Sequence, residues 1–250
     1  RYPDRIVIGS NEKRIFSIMK KLYSPSINKG AKFIASSRRG AELIKYASNA
    51  FLATKITFIN ELANLCEKAG VNIEDISLGM GSDTRIGGRF LRAGPPYGGS
   101  CFPKDTKGLV SAAEKFKINL PVVKTVIRSN QSRIKLLIKR IHKILGSTLK
   151  NKNISLLGVT FKPNTDDMRD SSALKIMPYL SSKGAKISYY DPSGEKKEFL
   201  KLKNCVFKKN IKDNCKNANL VILLTEWDEF KSIDFRKLIK SKNFKIFDLR

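Results

Sequence analysis

Residues 40–69, GAELIKYASNAFLATKITFINELANLCEKA, form the longest helical pattern of the chain. Apolar side chains recur there at helical spacing from Ala41 to Leu65, and Gly70 predicts the end of the helix. About 30 residues at about 1.5 Å each span roughly 45 Å. Because this exceeds one small core, we predict that the helix bridges domains or subunits and forms the spine of a homodimer.

Upstream of this helix the sequence predicts the last pieces of an α/β domain. Strands are predicted over residues 5–9 and 32–35, with a helix near 11–23 between them. The chain opens with Arg1-Tyr2 and has neither an initiator Met nor a signal segment. We therefore expect a domain whose beginning is absent from this sequence.

Downstream, three further helices are predicted near residues 73–79, 104–116 and 121–145. A glycine-rich loop from Gly79 to Gly99 separates the first two. From Asn153 onward strands alternate with helical stretches, which indicates a mostly parallel sheet with right-handed crossovers. The predicted strands cover residues 154–158, 185–191, 204–207, 220–224 and 244–248, and a helix covers 171–182. No G-x-G-x-x-G follows any strand, so this part is not predicted to bind a dinucleotide.

The composition is strongly basic, with 49 Lys and Arg against 22 Asp and Glu and a net charge of +27. Such a surface attracts polyanions. The charges are scattered, however, and no basic block with interleaved aromatic residues or RNA-recognition signature is present. We predict a solvated lysine-rich surface and no nucleic-acid partner.

Four cysteines show no C-x-x-C and no metal-ligand spacing with His142. We expect reduced thiols, no metal site and a cytoplasmic protein. No window of about 18 uninterrupted apolar residues is present, so no membrane association is predicted.

The segment Gly98-Gly-Ser-Cys-Phe-Pro-Lys-Asp105 carries the strongest chemical signal. Its two glycines allow a close approach of the backbone to a ligand. Cys101 precedes a predicted helix, whose positive end favours the thiolate form together with Lys104. Spacing alone leaves a reactive thiol and a buried structural cysteine equally open.

On the long helix, Lys45 and Asn49 lie four residues apart and share one face. A partly buried lysine beside an amide could stabilise an alkoxide or move a proton. A snorkelling lysine with a capping or solvent-facing asparagine is the alternative interpretation.

Six stretches of sequence resemble, in order, the signatures of the UDP-glucose/GDP-mannose (nucleotide-sugar 6-dehydrogenase) family, and the likeness extends over essentially the whole chain. They are residues 41–56 and 83–87, Gly98 to Asp105, residues 158–171, Tyr190-Asp-Pro192 and Thr225-Glu-Trp227.

The resemblance implies an α/β fold in three parts. These are the tail of an NAD-binding Rossmann domain (1–37), a central helical dimerisation domain with the catalytic cysteine (38–147) and a C-terminal UDP-sugar-binding α/β domain (148–250). Family members oxidise the sugar 6-hydroxyl to a carboxylate with two NAD in succession. The segment around Cys101 is more similar to the branch that converts UDP-glucose to UDP-glucuronate.

The resemblance also implies catalytic roles. Cys101 is similar to the nucleophile that forms a thiohemiacetal and then a thioester, and thiol chemistry suits both steps. Lys45 and Asn49 resemble the pair that stabilises the oxyanion, and Lys45 also a substrate contact. Asp105 matches the aspartate that orients this cluster and the hydrolytic water.

Binding roles follow in the same way. Arg85 matches an arginine that reaches into the partner subunit's site, while Lys104 and Arg169 match positions beside NAD. The expected nucleotide-sugar contacts are Phe90, Arg92, Tyr97, Gly98, Phe161, Lys162 and Arg250. Taken individually, Phe161 could be a core residue, Lys162 a surface residue, and Asp191 a turn residue rather than a ribose-binding acid.

Three departures from the family pattern stand out. The family's G-x-G-x-x-G and its catalytic Thr and Glu are missing, the sequence stops at Arg250 where the family continues, and Pro96 stands where the family usually has glycine. A proline fixes φ and removes a donor, which leaves a bent or impaired substrate loop open. The alternatives to an incomplete UDP-glucose enzyme are a dehydrogenase of GDP-mannose or a UDP-N-acetylhexosamine, and a non-catalytic dimerising remnant that binds nucleotide sugars.

Overall fold

The computed structural model describes residues 3–239 and 243–250. Arg1 and Tyr2, with which the sequence opens, lie outside the described residues. The first described elements are β1 (Arg5–Gly9), α1 (Lys13–Leu22), α2 (Ser24–Ile27) and β2 (Lys32–Ser36). β1 and β2 pair in parallel from Arg5↔Lys32 to Gly9↔Ser36, as expected for two strands joined by a crossover.

The predicted long helix is confirmed as α3 (Arg38–Ala69), a helix of 32 residues. The Ser37 side chain caps its first turn by accepting from Gly40 N at 3.1 Å. Gly70 ends it in the left-handed conformation at φ 69°, which glycine adopts without steric penalty. The buried residues of α3 lie on one side, and a stripe of apolar residues on another side is exposed.

Three helices follow α3. α4 (Ile73–Ser82) is three residues longer than predicted, so the loop that follows it starts at Asp83. α5 (Phe102–Lys115) begins two residues earlier than predicted. α6 (Pro121–Leu145) has the predicted bounds, with Pro121 in its first turn and Gly146 at its end.

The C-terminal region is one parallel five-stranded sheet in the order β5-β4-β3-β6-β7. The fold class predicted from the sequence is thus confirmed. The strands are β3 (Asn153–Leu157), β4 (Lys186–Tyr190), β5 (Cys205–Phe207), β6 (Leu220–Leu223) and β7 (Lys245–Asp248). The helices α7 (Ala173–Ser182), α8 (Ile211–Cys215) and α9 (Phe235–Leu238) lie between strands.

The sheet separates two apolar cores, and α6 joins the larger one to the central helices. Ile134, Leu137 and Ile141 of α6 pack with Ile154 and Leu156 of β3 in that core. Near its other end, Val126 of α6 packs against Ala53 of α3. α6 therefore fixes the C-terminal sheet relative to the long helix.

Within the described ranges, no helix is both long and apolar enough to cross a bilayer. The division into three domains at residues 37 and 147 remains a prediction.

Candidate active site

The Cys101 thiol lies where the central helices meet the C-terminal sheet. Cys101 is the N-cap residue of α5 and is exposed, while the loop before it packs on the C-terminal region. Gly99 N donates to Arg169 O at 2.8 Å. Gly99 has φ +79°, and a Cβ there would lie 2.6 Å from the Phe161 ring. Glycine is therefore required for this approach, and the thiol is held beside residues of both regions.

A buried polar pair lies beneath the start of α5. Asn49 Nδ2 of α3 donates to Asp105 Oδ2 at 2.5 Å, and the two residues are only 7% and 3% exposed. A buried carboxylate needs such donors, because its loss of hydration is otherwise uncompensated. Lys104 Nζ, which is exposed, lies 3.8 Å from the other carboxylate oxygen. The Asn49–Asp105 hydrogen bond thus joins α3 to the first turn of α5, which begins directly after Cys101.

The surroundings predicted for Lys45 are wrong. Its side chain is exposed rather than partly buried, although it lies one turn before Asn49 on α3. The solvent-facing alternative for Asn49 is also wrong, since its amide is buried and bonded to Asp105. The pattern was misleading because Lys45 lies at the edge of the buried face, where a long side chain reaches solvent.

Two aromatic residues of the loop between α4 and α5 contact Phe102 of α5. Phe90 (φ 67°) is exposed, and Tyr97 is buried. Each ring lies edge-on to the Phe102 ring, with 6.0 Å between the ring centroids. Burial raises the pKa of Tyr97, and a hydrogen bond with Thr106 partly counteracts this. Gly98, between Tyr97 and Gly99, packs directly on the Asp170 carbonyl.

Two predicted substrate residues, Arg92 and Arg250, meet at the carboxyl ends of β6 and β7. Arg92 Nη1 pairs with Glu226 Oε2 at 2.9 Å, and Arg92 Nε donates to the main-chain oxygen of Arg250 at 3.3 Å. Arg250 Nε donates to Leu224 O at 3.0 Å. Burial lowers the pKa of Arg250, and Glu226 counteracts that effect.

Both arginines line a cleft of about 490 Å³ with Leu78 and Leu91. Apolar walls with a few converging charges are typical of small-molecule sites of this size, and the arginine forks suit phosphate.

Phe161 and Lys162 lie in the loop after β3. Phe161 packs on Gly99 rather than in the core, and Lys162 Nζ lies 5.3 Å from the centroid of its ring. Buried Asp191 holds this loop, because its Oδ2 accepts from Val159 N at 2.7 Å and from Thr160 N at 3.2 Å.

The turn interpretation of Asp191 is confirmed, since its Oδ1 accepts from Ser193 N at 3.0 Å. Both carboxylate oxygens of Asp191 are therefore occupied by this chain's own main chain.

The remaining predicted residues face solvent. Arg85 is exposed and pairs with Asp83 at 2.6 Å, which raises the pKa of the Arg85 guanidinium. Arg169 pairs with Asp167 at 2.7 Å, and this bond likewise raises the pKa of Arg169. Its carbonyl, rather than its side chain, contacts the loop that precedes Cys101.

Three site-supporting residues were missed in the sequence. Asn60, Asn130 and Arg133 hold the main chain of residues 94–97 from two helices. Their only sequence signal is a polar position on an otherwise buried helix face, and this signal does not identify the partner.

Two models of one protein family match the chain. The central domain of the UDP-glucose/GDP-mannose dehydrogenase family matches residues 39–132, and the UDP binding domain of that family matches residues 155–250.

Curated relatives and a solved structure agree with these matches. A UDP-glucose 6-dehydrogenase of Rickettsia felis is 46% identical over 252 residues, and the match covers 100% of this chain and 56% of the relative. One of Rhizobium meliloti is 42% identical over 238 residues, with coverages of 94% and 54%. The structure of a UDP-glucose dehydrogenase from Pyrobaculum islandicum has a TM-score of 0.89 and 32% identity, and the match covers 100% of this chain and 56% of that one.

The chain therefore spans little more than half the length of the relatives that it matches. The two family models account for most of its residues, in the order in which the sequence motifs occur. The chain belongs to the UDP-glucose/GDP-mannose dehydrogenase family, through its central and UDP-binding domains.

Proposed function

We propose that this chain supplies the nucleotide-sugar site and the acyl-carrying cysteine of an NAD-dependent UDP-glucose 6-dehydrogenase. The observation that carries the proposal is the exposed Cys101 thiol at the start of α5, above the buried Asn49–Asp105 pair. The UDP-glucose 6-dehydrogenases among the relatives, over the whole length of the chain, support this substrate.

Cys101 has the chemistry that this oxidation requires. Its sulfur adds to the C6 aldehyde of the sugar, and the carbonyl oxygen gains a proton, which gives a thiohemiacetal. Loss of a hydride and a proton from that adduct leaves a thioester. Water attacks the thioester carbon, the C–S bond breaks, and the carboxylate and the free thiol are released.

The reaction at Cys101 would be assisted by Asn49, Asp105 and Lys45. The Asn49 amide is oriented by its bond to Asp105. An oriented amide donor would stabilise the negative charge that develops on the substrate oxygen during the reaction. The exposed ammonium group of Lys45 remains free to approach a bound sugar from one turn earlier on α3.

The nucleotide sugar would lie between the loop of residues 90–98 and the carboxyl ends of the C-terminal strands. Arg92 and Arg250 would meet the diphosphate, and Phe161 and Tyr97 would provide apolar walls. Phe90, Gly98 and Lys162 would complete the contacts. The lack of an N–H at Pro96 removes neither of the hydrogen bonds that hold this loop through its main-chain donors, because those donors are Gly94 N and Tyr97 N.

NAD would supply the hydride acceptor when bound, but the described residues do not form its pocket. β1 runs into Gly9-Ser10-Asn11-Glu12 without the second and third glycines of a dinucleotide-binding turn. Only Lys104 and Arg169, exposed beside Cys101, are candidates for contact with the cofactor.

A homodimer is part of the proposal. Leu43, Phe51, Phe58 and Leu65 are 54%, 66%, 47% and 62% exposed on α3. Their spacing of seven or eight residues puts them on one stripe of the helix, and apolar stripes of this kind mark interaction surfaces. Exposed Arg85 would then enter the partner's site.

The affinities of the chain for different nucleotide sugars distinguish between the candidate substrates. We expect UDP-glucose to bind more tightly than GDP-mannose or UDP-N-acetylmannosamine in calorimetric titrations. Tighter binding of either competitor would assign the chain to that sister activity.

Turnover is tested by adding the part of the Rickettsia felis relative that the match to this chain does not cover. NADH formation from UDP-glucose should then appear, and Cys101→Ser should abolish release of the acid. Unchanged acid release by Cys101→Ser would exclude the thioester route. If UDP-glucose binds but no NADH forms with that part supplied, the chain is a nucleotide-sugar-binding module without activity.

A further inference from the structure

The loop that carries the proposed substrate residues is held at Gly94 and Pro95 by a side chain of α3. Asn60 Oδ1 accepts from Gly94 N at 2.8 Å, and Asn60 Nδ2 donates to Pro95 O at 3.3 Å. Asn60 is 2% exposed. One buried amide thus holds the main chain at two consecutive residues of the loop.

Arg133 of α6 adds a second support to the same part of the loop. Its Nε donates to Gly94 O at 2.6 Å, and its Nη1 donates to Asn60 O at 2.9 Å. The guanidinium therefore joins the loop to the α3 backbone at the residue whose side chain also holds the loop. Its planar set of donors makes this bridge possible, which a lysine could not reproduce.

Arg133 is unusual because its charged guanidinium is buried without an acidic partner among the residues that the structure describes. It is 8% exposed, and no carboxylate of the described residues lies within ion-pair distance of it. Burial lowers its pKa to about 10, so the guanidinium stays charged at neutral pH. A buried charge held only by neutral carbonyl and amide oxygens is costly for folding alone.

The other end of the same segment is held by Asn130 of α6. Asn130 Oδ1 accepts from Tyr97 N at 2.8 Å, and its Nδ2 donates to Tyr97 O at 3.1 Å. The segment also contains Pro95 and Pro96, whose rings restrict the backbone. The segment 94–97 thus has little freedom to shift along α3 and α6.

The position of this segment bears directly on the arginines of the cleft. Gly94 packs against the end of the chain, since a Cβ there would lie 3.1 Å from Leu249 O and 3.4 Å from Arg250 Nη1. Arg92 lies two residues earlier and contacts the main-chain oxygen of Arg250. A displacement of Gly94 would therefore alter the spacing between Arg92 and Arg250.

We propose that Arg133, together with Asn60, is a positioning residue of the nucleotide-sugar site. It sets the main chain of Gly94 and Pro95, and through it the two arginines that receive the diphosphate, without contacting the substrate. The inference rests on the proposed function, because it requires that this cleft receives a nucleoside diphosphate.

Arg140 provides a matched control on the same helix. It lies two turns after Arg133, pairs with Glu67, and donates to Asn64 Oδ1 at 3.0 Å. Arg140 therefore also joins α6 to α3, but no hydrogen bond connects it to the 94–97 segment in the described part of the chain. Arg140→Met removes an α3–α6 contact without removing any hydrogen bond to the 94–97 segment, although Asn64 Oδ1 also accepts from Arg133 at 3.4 Å.

The test is calorimetric titration of the 250-residue chain with UDP. We expect Arg133→Met and Asn60→Ala to weaken UDP binding by about tenfold or more, because misplaced groups lose much of their binding energy. Arg140→Met should stay within about twofold of wild type. Asn60→Asp, which keeps an acceptor for Gly94 N–H, should recover part of the affinity lost in Asn60→Ala.

Hydrogen exchange adds a readout that a general loss of stability would not give. Exchange in peptides covering residues 91–98 should accelerate in Asn60→Ala, while peptides within α3 and α6 stay as protected as in wild type. If Arg133→Met does not fold, Asn60→Ala decides the question.

Equal UDP affinity in the loop variants and wild type would overturn this inference alone. A wild-type chain that binds no UDP would overturn the proposed substrate site and the inference with it.

Discussion

At the scale of single residues, burial distinguishes Cys101 from the other cysteines. Cys66 and Cys215 are buried and Cys205 is partly buried, whereas Cys101 is exposed. Burial raises the pKa of Cys205 to about 11 and that of Cys215 to about 12. Both therefore remain protonated, and unreactive as nucleophiles, well above neutral pH.

We expect iodoacetamide at about pH 8 to alkylate Cys101 before the other three thiols. Modification of Cys205 should rise as the pH approaches its pKa of about 11, because only the thiolate reacts. Peptide mass spectrometry over a time course measures both rates. Equal labelling of Cys205 and Cys101 at the lower pH would contradict this assignment of accessibility.

The Asn49–Asp105 bond should contribute measurably to stability. Asp105→Ala leaves the buried Asn49 amide without its acceptor, so we expect a loss of about 1–3 kcal/mol in the free energy of unfolding. Lys104→Ala, which removes an exposed group with a long contact to the same carboxylate, should change it by less than about 0.5 kcal/mol. Denaturant titration compares the free energies of unfolding of the two variants. Equal losses would show that the Asn49–Asp105 bond contributes no more to stability than the exposed Lys104 contact.

How much of the site was predictable from the sequence varies among these residues. Asn49 and Asp105 are 56 positions apart, and only the family motifs indicated that they meet. Lys45 was assigned a partly buried position because periodicity gives a face but not the depth of a long side chain. Asn60 and Arg133 could not be recognised, since polar residues on a long helix usually belong to its solvated face. Only tertiary packing shows that these two point inward.

At the scale of elements, periodicity and end signals located nearly every long helix and strand within a few residues. α6 agrees at both ends because Pro121 and Gly146 mark its limits. The short helix α2 was not predicted, and α8 and α9 were predicted only as helical stretches without bounds, since four or five residues contain too little of an amphipathic period. The parallel sheet followed from alternation, but the strand order depends on contacts that no local pattern contains.

The loop between α4 and α5 allows the steric role of a glycine to be isolated. Gly99 (φ +79°) lies against Phe161, whereas Gly87 (φ +70°) has open space around it. Gly87→Ala should cost about 1 kcal/mol of stability from its backbone conformation alone. Gly99→Ala should cost more and should also weaken UDP binding, because the loop must move away from Phe161. If thermal unfolding showed similar losses of stability for both variants, the Phe161 ring would be able to move away from the added methyl group without a measurable loss of stability.

At the scale of the whole molecule, the long helix has two distinct faces. Asn49, Ala53, Thr57 and Asn60 are buried against α5, α6 and the loop. The stripe of Leu43, Phe51, Phe58 and Leu65, by contrast, is exposed. A stripe of leucine and phenylalanine along 32 residues is long enough for the roughly 800 Å² per partner that a stable dimer buries.

Charge reversal on this stripe tests the proposed homodimer. The double variant Phe51→Glu, Phe58→Glu should sediment as a monomer under conditions where the wild-type chain is dimeric, because four carboxylates would meet across a two-fold interface and lose hydration. Phe116→Glu is the control, since Phe116 is 74% exposed at the end of α5 and should leave the dimer intact. Analytical ultracentrifugation over a concentration series measures all three proteins. A wild-type monomer, or a double variant that stays dimeric, would remove the long helix from the interface, and with it the route by which Arg85 would reach a partner's site.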